Sequence, residues 1–530
     1  MSSAQLNATY PTARAYACRD TSLLVALTLL VGLPWLGQEI DWDSREVRHA
    51  LIPAEMAERH DYLMPTLLGE PYIYKPPVGH ILTAWIYHAC GGPNMFLGRL
   101  VSVLSGLVCV LACYGFARLL YERKSALIAS VMLIGIPGFG NILRKSRPDM
   151  LFAAAIMVSC GLVLWGMSRK ETLYRLLLFF CAGVAFGLAN LAKGPYGIFY
   201  AIFPVAVVVC APWQRQDLLR PKLWEWPAVL LGCCVFPAAW IGPLYARPAS
   251  AGLPSGKDFI QATLSQHDPS GEHRRHPFWY FGRIPLLLLP WSCFIPALVK
   301  AVQRTPSAGG RAWRLTSWAS LCVALVTLAA LSAVGGKRDH YLAPWYPFAV
   351  LPLGVLVARY WEYAKLGKLV RVLLVLSLLS VPVYYGLLQP YVMLRNNPER
   401  EFCEHVVEAL PERAAVVTYR VLHEELAWVA RCRRWQRSPV TMPAVKPEEV
   451  LSGIERAVRS GLPTYLVVRE KDFAASTALL AHVRLRKIIE YVSLETGLDK
   501  ALRMKDDEGT TYLLYEVVPE EPALNIASLG

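Results

Sequence analysis

Residues 151–167 read LFAAAIMVSCGLVLWGM, seventeen positions without a single charge. As a helix rising about 1.5 Å per residue, this run is roughly 25 Å long, close to the hydrocarbon thickness of a bilayer. Further uncharged runs occupy residues 23–35, 100–112 and 372–388. Across 530 residues the chain is 55% hydrophobic and only 18% charged, with a mean hydropathy of +0.34. A soluble domain carries about a quarter charged residues. In lipid every backbone amide needs an internal partner, which long helices supply. The chain therefore reads as an all-α polytopic membrane protein.

The net charge of +14 invites a nucleic-acid reading, but its placement argues against one. The charge gathers in five short connectors: around Arg123 and Lys124; Arg169, Lys170 and Arg175; Arg215, Arg220 and Lys222; Arg304, Arg311 and Arg314; and Arg359, Lys365, Lys368 and Arg371. Fifteen Lys or Arg there face five acids, the positive-inside pattern of cytoplasmic loops. Residues 76–90 decide the topology. They are apolar but short, open on Pro76-Pro77 and carry His80, Trp85, Tyr87 and His88. Placed in the interface rather than across the membrane, they put all five basic connectors on one side.

This arrangement predicts eleven transmembrane helices plus interfacial helices, with spans near 21–37, 95–119, 125–142, 150–167, 174–191, 196–213, 227–246, 284–303, 315–334, 341–360 and 369–388. Residues 1–20 form a cytoplasmic N-terminus. Residues 21–389 form the membrane domain, with a first external loop at 37–94. From 390 to 530 the pattern changes. Strand-like runs at 415–418, 465–468 and 511–518 alternate with helical patterns at 424–431, 447–459 and 475–489, which predicts a small C-terminal α/β domain outside the membrane. Eleven of the 13 cysteines lie in or near apolar runs, as small hydrophobes do. Cys403 and Cys432 lie in the polar tail, where an external location permits a disulfide and two separate thiols serve equally well.

Polar residues crowd the external ends of the spans, and few charges sit deep in the apolar runs. The first external loop is the richest. Arg45-Glu46-Val47-Arg48-His49 leads to Glu55-Met56, predicting a helix over 45–60 lying on the membrane, with Val47, Leu51 and Ala54 on one side and Pro53 bending it. Pro65-Thr66, Leu68-Gly69 and Tyr74-Lys75-Pro76-Pro77 follow as irregular chain. Beyond them come Arg99-Leu100, Arg147-Pro148-Asp149, Ala192-Lys193-Gly194-Pro195, His276-Pro277-Phe278-Trp279-Tyr280 and Lys337-Arg338-Asp339-His340-Tyr341.

This ordered set, over about residues 20–390, resembles the polyprenyl-phosphate-dependent membrane glycosyltransferases of the protein O-mannosyltransferase type. The likeness is strongest to the bacterial lipid A aminoarabinose transferase group. The resemblance implies a GT-C fold and an inverting transfer of a sugar from an undecaprenyl-phosphate-type donor. The acceptor would be lipid A, a protein or another glycan, on the outer face of the cell inner membrane. Such a donor never leaves the bilayer, since each buried CH₂ holds it by about 0.8 kcal/mol. The acceptor hydroxyl needs a carboxylate base, and the departing phosphate needs fixed cations.

The resemblance implies catalytic roles for Glu46, Asp43 and Asp149. The family usually carries an Asp-Glu pair where this chain has Arg45-Glu46, so Glu46 or Asp43 takes the base's place. Lys75 corresponds to the family lysine on the donor phosphate, with Arg48, Tyr74, Lys193, Arg275, Lys337, His340 and Tyr341 as further substrate-binding residues. Each has a plain alternative: Glu46 as a helix N-terminal charge, Lys75 as an interfacial anchor, Asp149 as a solvated loop acid. Tyr74 stands where the family has a glutamate, which weakens a metal site there. The loop carrying His267, Asp268, Glu272, His273 and His276 also holds Arg274 and Arg275, which oppose a cation. No cofactor is required, and a divalent metal is disfavoured. The implied partners are the lipid-linked donor, membrane lipids and an acceptor of open identity, with no nucleic acid. A polytopic transporter or flippase, or a non-catalytic relative of the transferase, is the alternative. A transporter should show ionisable groups at mid-membrane, and these runs have few.

Overall fold

A computed structural model of the chain describes residues 3–38, 44–215, 217–250, 253–265, 274–303, 310–389, 398–435, 439–476, 483–492 and 511–518. The described residues are mostly helical, and they divide into two compact units.

The first unit comprises residues 1–37, 72–82 and 96–387. Five of its helices are long and apolar enough to cross a membrane: Met95–Leu120, Asp149–Met167, Thr172–Lys193, Leu223–Tyr245 and Lys365–Leu388. Two further apolar stretches are bent pairs, Arg123–Gly135 with Pro137–Leu143 (64°) and Trp279–Leu287 with Trp291–Lys300 (108°). The sequence reads each as one straight span, at 125–142 and 284–303. Pro137 and Pro290 explain the breaks, because proline lacks the amide a continuing helix would use. Ile198–Pro212, Ser320–Ala333 and Tyr346–Tyr360 are shorter apolar helices. The N-terminal helix Ser3–Gly32 is closed by two arginines: Arg144 donates to the Gly32 carbonyl at 2.8 Å and Arg99 to the Leu36 carbonyl at 2.9 Å.

The short helix at 76–90 is Val78–Ala89, twelve residues. At 1.5 Å per residue it is about 18 Å long, too short to cross a bilayer.

The second unit gathers residues 38–71, 83–95 and 388–530. Much of the stretch from 38 to 95 thus packs with the C-terminal α/β part of the chain. The loop helix runs from Ser44 to Glu58, straight through Pro53. Val47, Leu51 and Ala54 are buried as expected, but so are Ala50, Ile52, Met56 and Ala57. The expected one-sided helix is instead a core element, buried nearly all round. After it, β1 (Thr66–Leu67) and β2 (Glu70–Pro71) form a minimal hairpin. Leu68 and Gly69 turn it with φ of 55° and 82°, the paired positive angles of a type I′ turn. The Glu55 carboxylate holds this turn, accepting from Thr66 Oγ1 (2.7 Å), the Leu68 amide (2.8 Å) and the Gly69 amide (3.2 Å).

The C-terminal part builds one five-stranded sheet from β3 (Ala415–Tyr419), β4 (Val440–Ala444), β5 (Thr464–Arg469), β6 (Arg484–Val492) and β7 (Thr511–Val518), in the order β4-β3-β5-β7-β6. β3, β4 and β5 are parallel, whereas β7 and β6 are antiparallel additions. One face packs on Phe402, Val406, Leu426 and Val429, the other on Val450 and Ile454 from helix Pro447–Arg459. Helical patterns at 424–431 and 447–459 correspond to helices His423–Arg433 and Pro447–Arg459. The pattern at 475–489 does not: a short helix Glu470–Ser476 is followed by strand β6, an edge strand on which Arg484, Arg486 and Lys487 are exposed. Charged residues on an edge strand are the usual guard against pairing with another chain, and here they hid the strand. Cys403 is buried and Cys432 exposed, and no disulfide joins them.

Candidate active site

In the first unit the antiparallel helices Asp149–Met167 and Thr172–Lys193 are joined by a short connector. The first residue of one therefore meets the last residue of the other. Asp149, 2% exposed, accepts from Lys193 Nζ at 2.8 Å. An acid in a first turn and a base in a last turn each suit the helix dipole. The Lys193 ammonium also lies 4.5 Å from the Tyr341 ring centroid, 5.2 Å from Phe152 and 6.0 Å from Tyr200, within cation–π range of all three.

Two glycines bring Lys75 to this pair. A Cβ on Gly79 would lie 3.1 Å from Pro148 Cβ, and one on Gly194 (φ +84°) would lie 3.2 Å from Pro76 Cδ. At both places a proline ring thus packs directly on a glycine, setting residues 75–80 against 147–149 and 193–194. A third piece, 337–341, is pinned from two sides. Tyr280 donates to the Arg338 carbonyl (3.2 Å), Tyr200 to the Tyr341 carbonyl (3.3 Å), and Arg283 pairs with Asp339 at 3.1 Å through Nε.

The result is a concentration of positive charge around Lys75 and Asp149. Burial lowers the Lys75 ammonium to about 8, with Lys193, Arg147 and Arg338 pushing it down and Asp149 opposing them. His340 is held at about 3 by burial, with Asp149 opposing and Lys193, Arg147 and Lys75 adding to the fall. At neutral pH His340 is an uncharged imidazole, so it offers a hydrogen bond and not a cation. His80, 3% exposed, behaves alike, at about 3 through burial and the charge of Lys75.

Of the residues singled out in the sequence, Lys75, Asp149, Lys193, His340 and Tyr341 converge here. Arg147 joins them with no role foreseen for it; its place two positions before Asp149, in the same connector, was the available signal. Others lie elsewhere. Lys337, 3% exposed, donates to the carbonyls of Val334 and Arg275 (3.3 Å), tying the end of one helix to the 274–276 segment. The Arg275 amide bonds the Gly335 carbonyl at 3.1 Å and its side chain is exposed. Tyr74 is 61% exposed, its ring 5.4 Å from that of Tyr72. In the second unit, Glu46 is 1% exposed in the first turn of the loop helix. Arg48 in the same helix is bound to Glu424, Nε to Oε1 at 2.8 Å. Asp43 and the histidine loop at 266–273 lie outside the described residues. Among the described residues no three His, Cys, Asp or Glu side chains gather as a metal site would require.

The chain is similar to known proteins both in sequence and in fold. The family model described as dolichyl-phosphate-mannose-protein mannosyltransferase matches residues 74–241, the segment that carries Lys75, Arg147, Asp149 and Lys193. The chain is 28% identical, over 330 residues, to the undecaprenyl phosphate-alpha-4-amino-4-deoxy-L-arabinose arabinosyl transferase of Erwinia tasmaniensis, covering 60% of this chain and 55% of that one. It is 24% identical over 397 residues to the corresponding transferase of Photorhabdus laumondii, covering 70% and 66%. The chain thus spans little more than half the length of the first of these relatives. The crystal structure of ArnT from Cupriavidus metallidurans bound to undecaprenyl phosphate superposes with a TM-score of 0.66 at 18% identity, covering 93% of this chain and 97% of that one. The fold is the GT-C fold seen in ArnT. In sequence the chain is similar to transferases of the ArnT type, and the resemblance read from the sequence is borne out.

Proposed function

We propose that this protein is an inverting glycosyltransferase that moves a sugar from an undecaprenyl-phosphate-type lipid to an acceptor hydroxyl, on the outer face of the cytoplasmic membrane. The observation that carries this reading is the gathering of Lys193, Arg147 and Arg338 around Lys75, with the Asp149 carboxylate bonded to Lys193 at 2.8 Å. A surplus of fixed cations fits a lipid phosphate, both as bound donor and as leaving group. The relatives named above, and the lipid in the ArnT structure, support the same donor class.

In this reading the acceptor oxygen forms a bond to the anomeric carbon as the bond from that carbon to the phosphate oxygen breaks. The phosphate departs with the bonding pair, held by Lys75, Arg147 and Arg338. Glu46, or Asp43 beside it in sequence, takes the acceptor's proton, a role resting on the first-loop motif. Asp149 holds the Lys193 side chain in place within its three aromatic rings, and helps to position the acceptor. Eleven spans, a cytoplasmic N-terminus and an external C-terminal domain are part of the proposal. The five to seven spanning helices, the three shorter apolar ones and the basic connectors support them.

The test is native mass spectrometry of the purified protein together with a transfer assay. A co-purified polyprenyl phosphate, bare or bearing a sugar, is expected, and it should be lost on Lys75→Met. Transfer that survives combined replacement of Asp43, Glu46 and Asp149 in a folded protein sinks the reading.

A further inference from the structure

The second unit contains a cavity of about 580 Å³ that no step above uses. Its volume falls inside the roughly 300–1,000 Å³ typical of small-molecule sites. It is lined by the end of the loop helix (Glu55, Glu58, Arg59, His60), by the Leu68-Gly69 turn, by Arg431, and by the start of β4 (Pro439, Val440, Thr441).

Three observations mark it as built to hold something. Thr441 is 7% exposed, and its hydroxyl has no hydrogen-bond partner among the described residues. A buried hydroxyl without a partner is uncommon and costs stability. His60 and Leu68 both line the cavity with φ of 51° and 55°, the left-handed region that non-glycine residues avoid. Such strain is kept where surrounding structure over-determines it, and it clusters at binding sites. Finally, the turn presents Gly69 toward open space, with nothing within 4 Å of where its Cβ would be.

The charge of the lining selects the ligand class. Arg431 bonds Glu58 at 3.0 Å and approaches Glu55 at 3.5 Å, and Arg59 donates to the Met64 carbonyl at 2.7 Å. Two guanidiniums therefore stand against two carboxylates. A phosphate would meet as much repulsion as attraction, and so would a metal ion. A hydroxyl-rich neutral molecule suits such a wall, because each hydroxyl both donates and accepts. We propose that this cavity is a carbohydrate subsite that takes a neutral sugar unit of the acceptor, with Thr441 as one of its contacts. The choice of acceptor as the source of that sugar rests on the glycosyl-transfer reading.

The experiment uses the full chain in nanodiscs and saturation-transfer NMR with a neutral disaccharide such as chitobiose, with inorganic phosphate as competitor. Saturation transfer to the disaccharide is expected, and excess phosphate should leave it unchanged. Val440→Trp places an indole at the half-exposed wall of the cavity and should abolish the signal. Thr441→Val removes one hydrogen bond and should weaken binding about tenfold. The proposal is overturned by no transfer in the wild type, by an unchanged signal in Thr441→Val or folded Val440→Trp, or by displacement with phosphate. Native mass spectrometry of the same samples reads the lipid donor separately. A lost sugar signal with the lipid still bound refutes this subsite alone. A missing lipid refutes the transferase reading whatever the sugar does.

Discussion

Arg48 and Glu424 meet across 376 residues of chain, and removing either partner should unsettle the second unit measurably. The side chain of Glu424 is 13% exposed, that of Arg48 41%. Glu424 Oε1 takes the arginine, while Oε2 has no partner among the described residues. Arg48→Leu therefore leaves a buried carboxylate with nothing to oppose its charge. Breaking a fully buried pair costs about 3–5 kcal/mol. Arg48 is partly solvated, so about 2 kcal/mol is expected, or a fall in Tm of roughly 4–8 °C for a unit of this size. Thermal unfolding of the detergent-solubilised protein by tryptophan fluorescence reads this directly, since Trp428 is fully buried with its ring 6.4 Å from that of Tyr87. Glu424 gives the prediction a pH signature. Burial pushes its carboxyl up, and Arg48 pulls against that. Without Arg48 the carboxyl rises further, so the variant's deficit should be small at pH 5, where the group is protonated, and grow toward pH 8. The double variant Arg48→Leu with Glu424→Leu should recover most of the loss, because no charge is then stranded. Single losses under about 0.5 kcal/mol, or a double variant whose loss is the sum of the singles, would refute the argument.

Other consequences can be measured alongside. Lys75 sits at about 8, so affinity for polyprenyl phosphate should hold through pH 7 and fall as the ammonium deprotonates above pH 8, read by lipid titration. Bound phosphate favours the charged amine, which moves that fall upward. Glu425 is raised by burial from 4.5 to about 7, so the folded state holds its proton where the unfolded chain has lost it. Stability of the second unit should thus decline between about pH 4.5 and 7 and level off above, by on the order of 1–3 kcal/mol. Asp149→Asn takes the carboxylate from the nearly buried Lys193 side chain; a loss of about 3 kcal/mol is expected by denaturation, and Lys193→Met in the same chain should restore most of it. Glu55→Ala takes the acceptor from two turn amides and the Thr66 hydroxyl, and should cost about 2–4 kcal/mol with rapid proteolysis near Gly69.

The sequence carries the apolar helices, the short 78–89 helix, the loop helix and most of the C-terminal strands because each has a local signature. It also carries five residues of the candidate site, each beside a proline, a glycine or the end of an apolar run. What it lacks is any sign of who meets whom. Arg48 looks like a phosphate ligand until Glu424 is seen beside it. Lys337 looks like one too, yet it caps carbonyls at the end of an apolar helix, where the nearest acceptors are backbone. The bend at Pro290 and the edge strand β6 were hidden for a different reason. Composition matches a straight span in the first case and a helix in the second, and only packing separates them.

The second unit is assembled from three stretches of chain, the last beginning at residue 388. During synthesis the loop helix emerges early with Ala50, Leu51, Ile52 and Met56 ready for burial, while the helix carrying Glu424 and Arg431 is still unmade. At roughly 5–20 residues per second, the 376 residues separating Arg48 from Glu424 represent a delay of about 20–75 s. For that interval the apolar side chains of the loop helix are without their eventual cover, so biogenesis of this protein calls for a holding chaperone or the membrane surface itself. A truncation before the C-terminal domain would make the wait permanent.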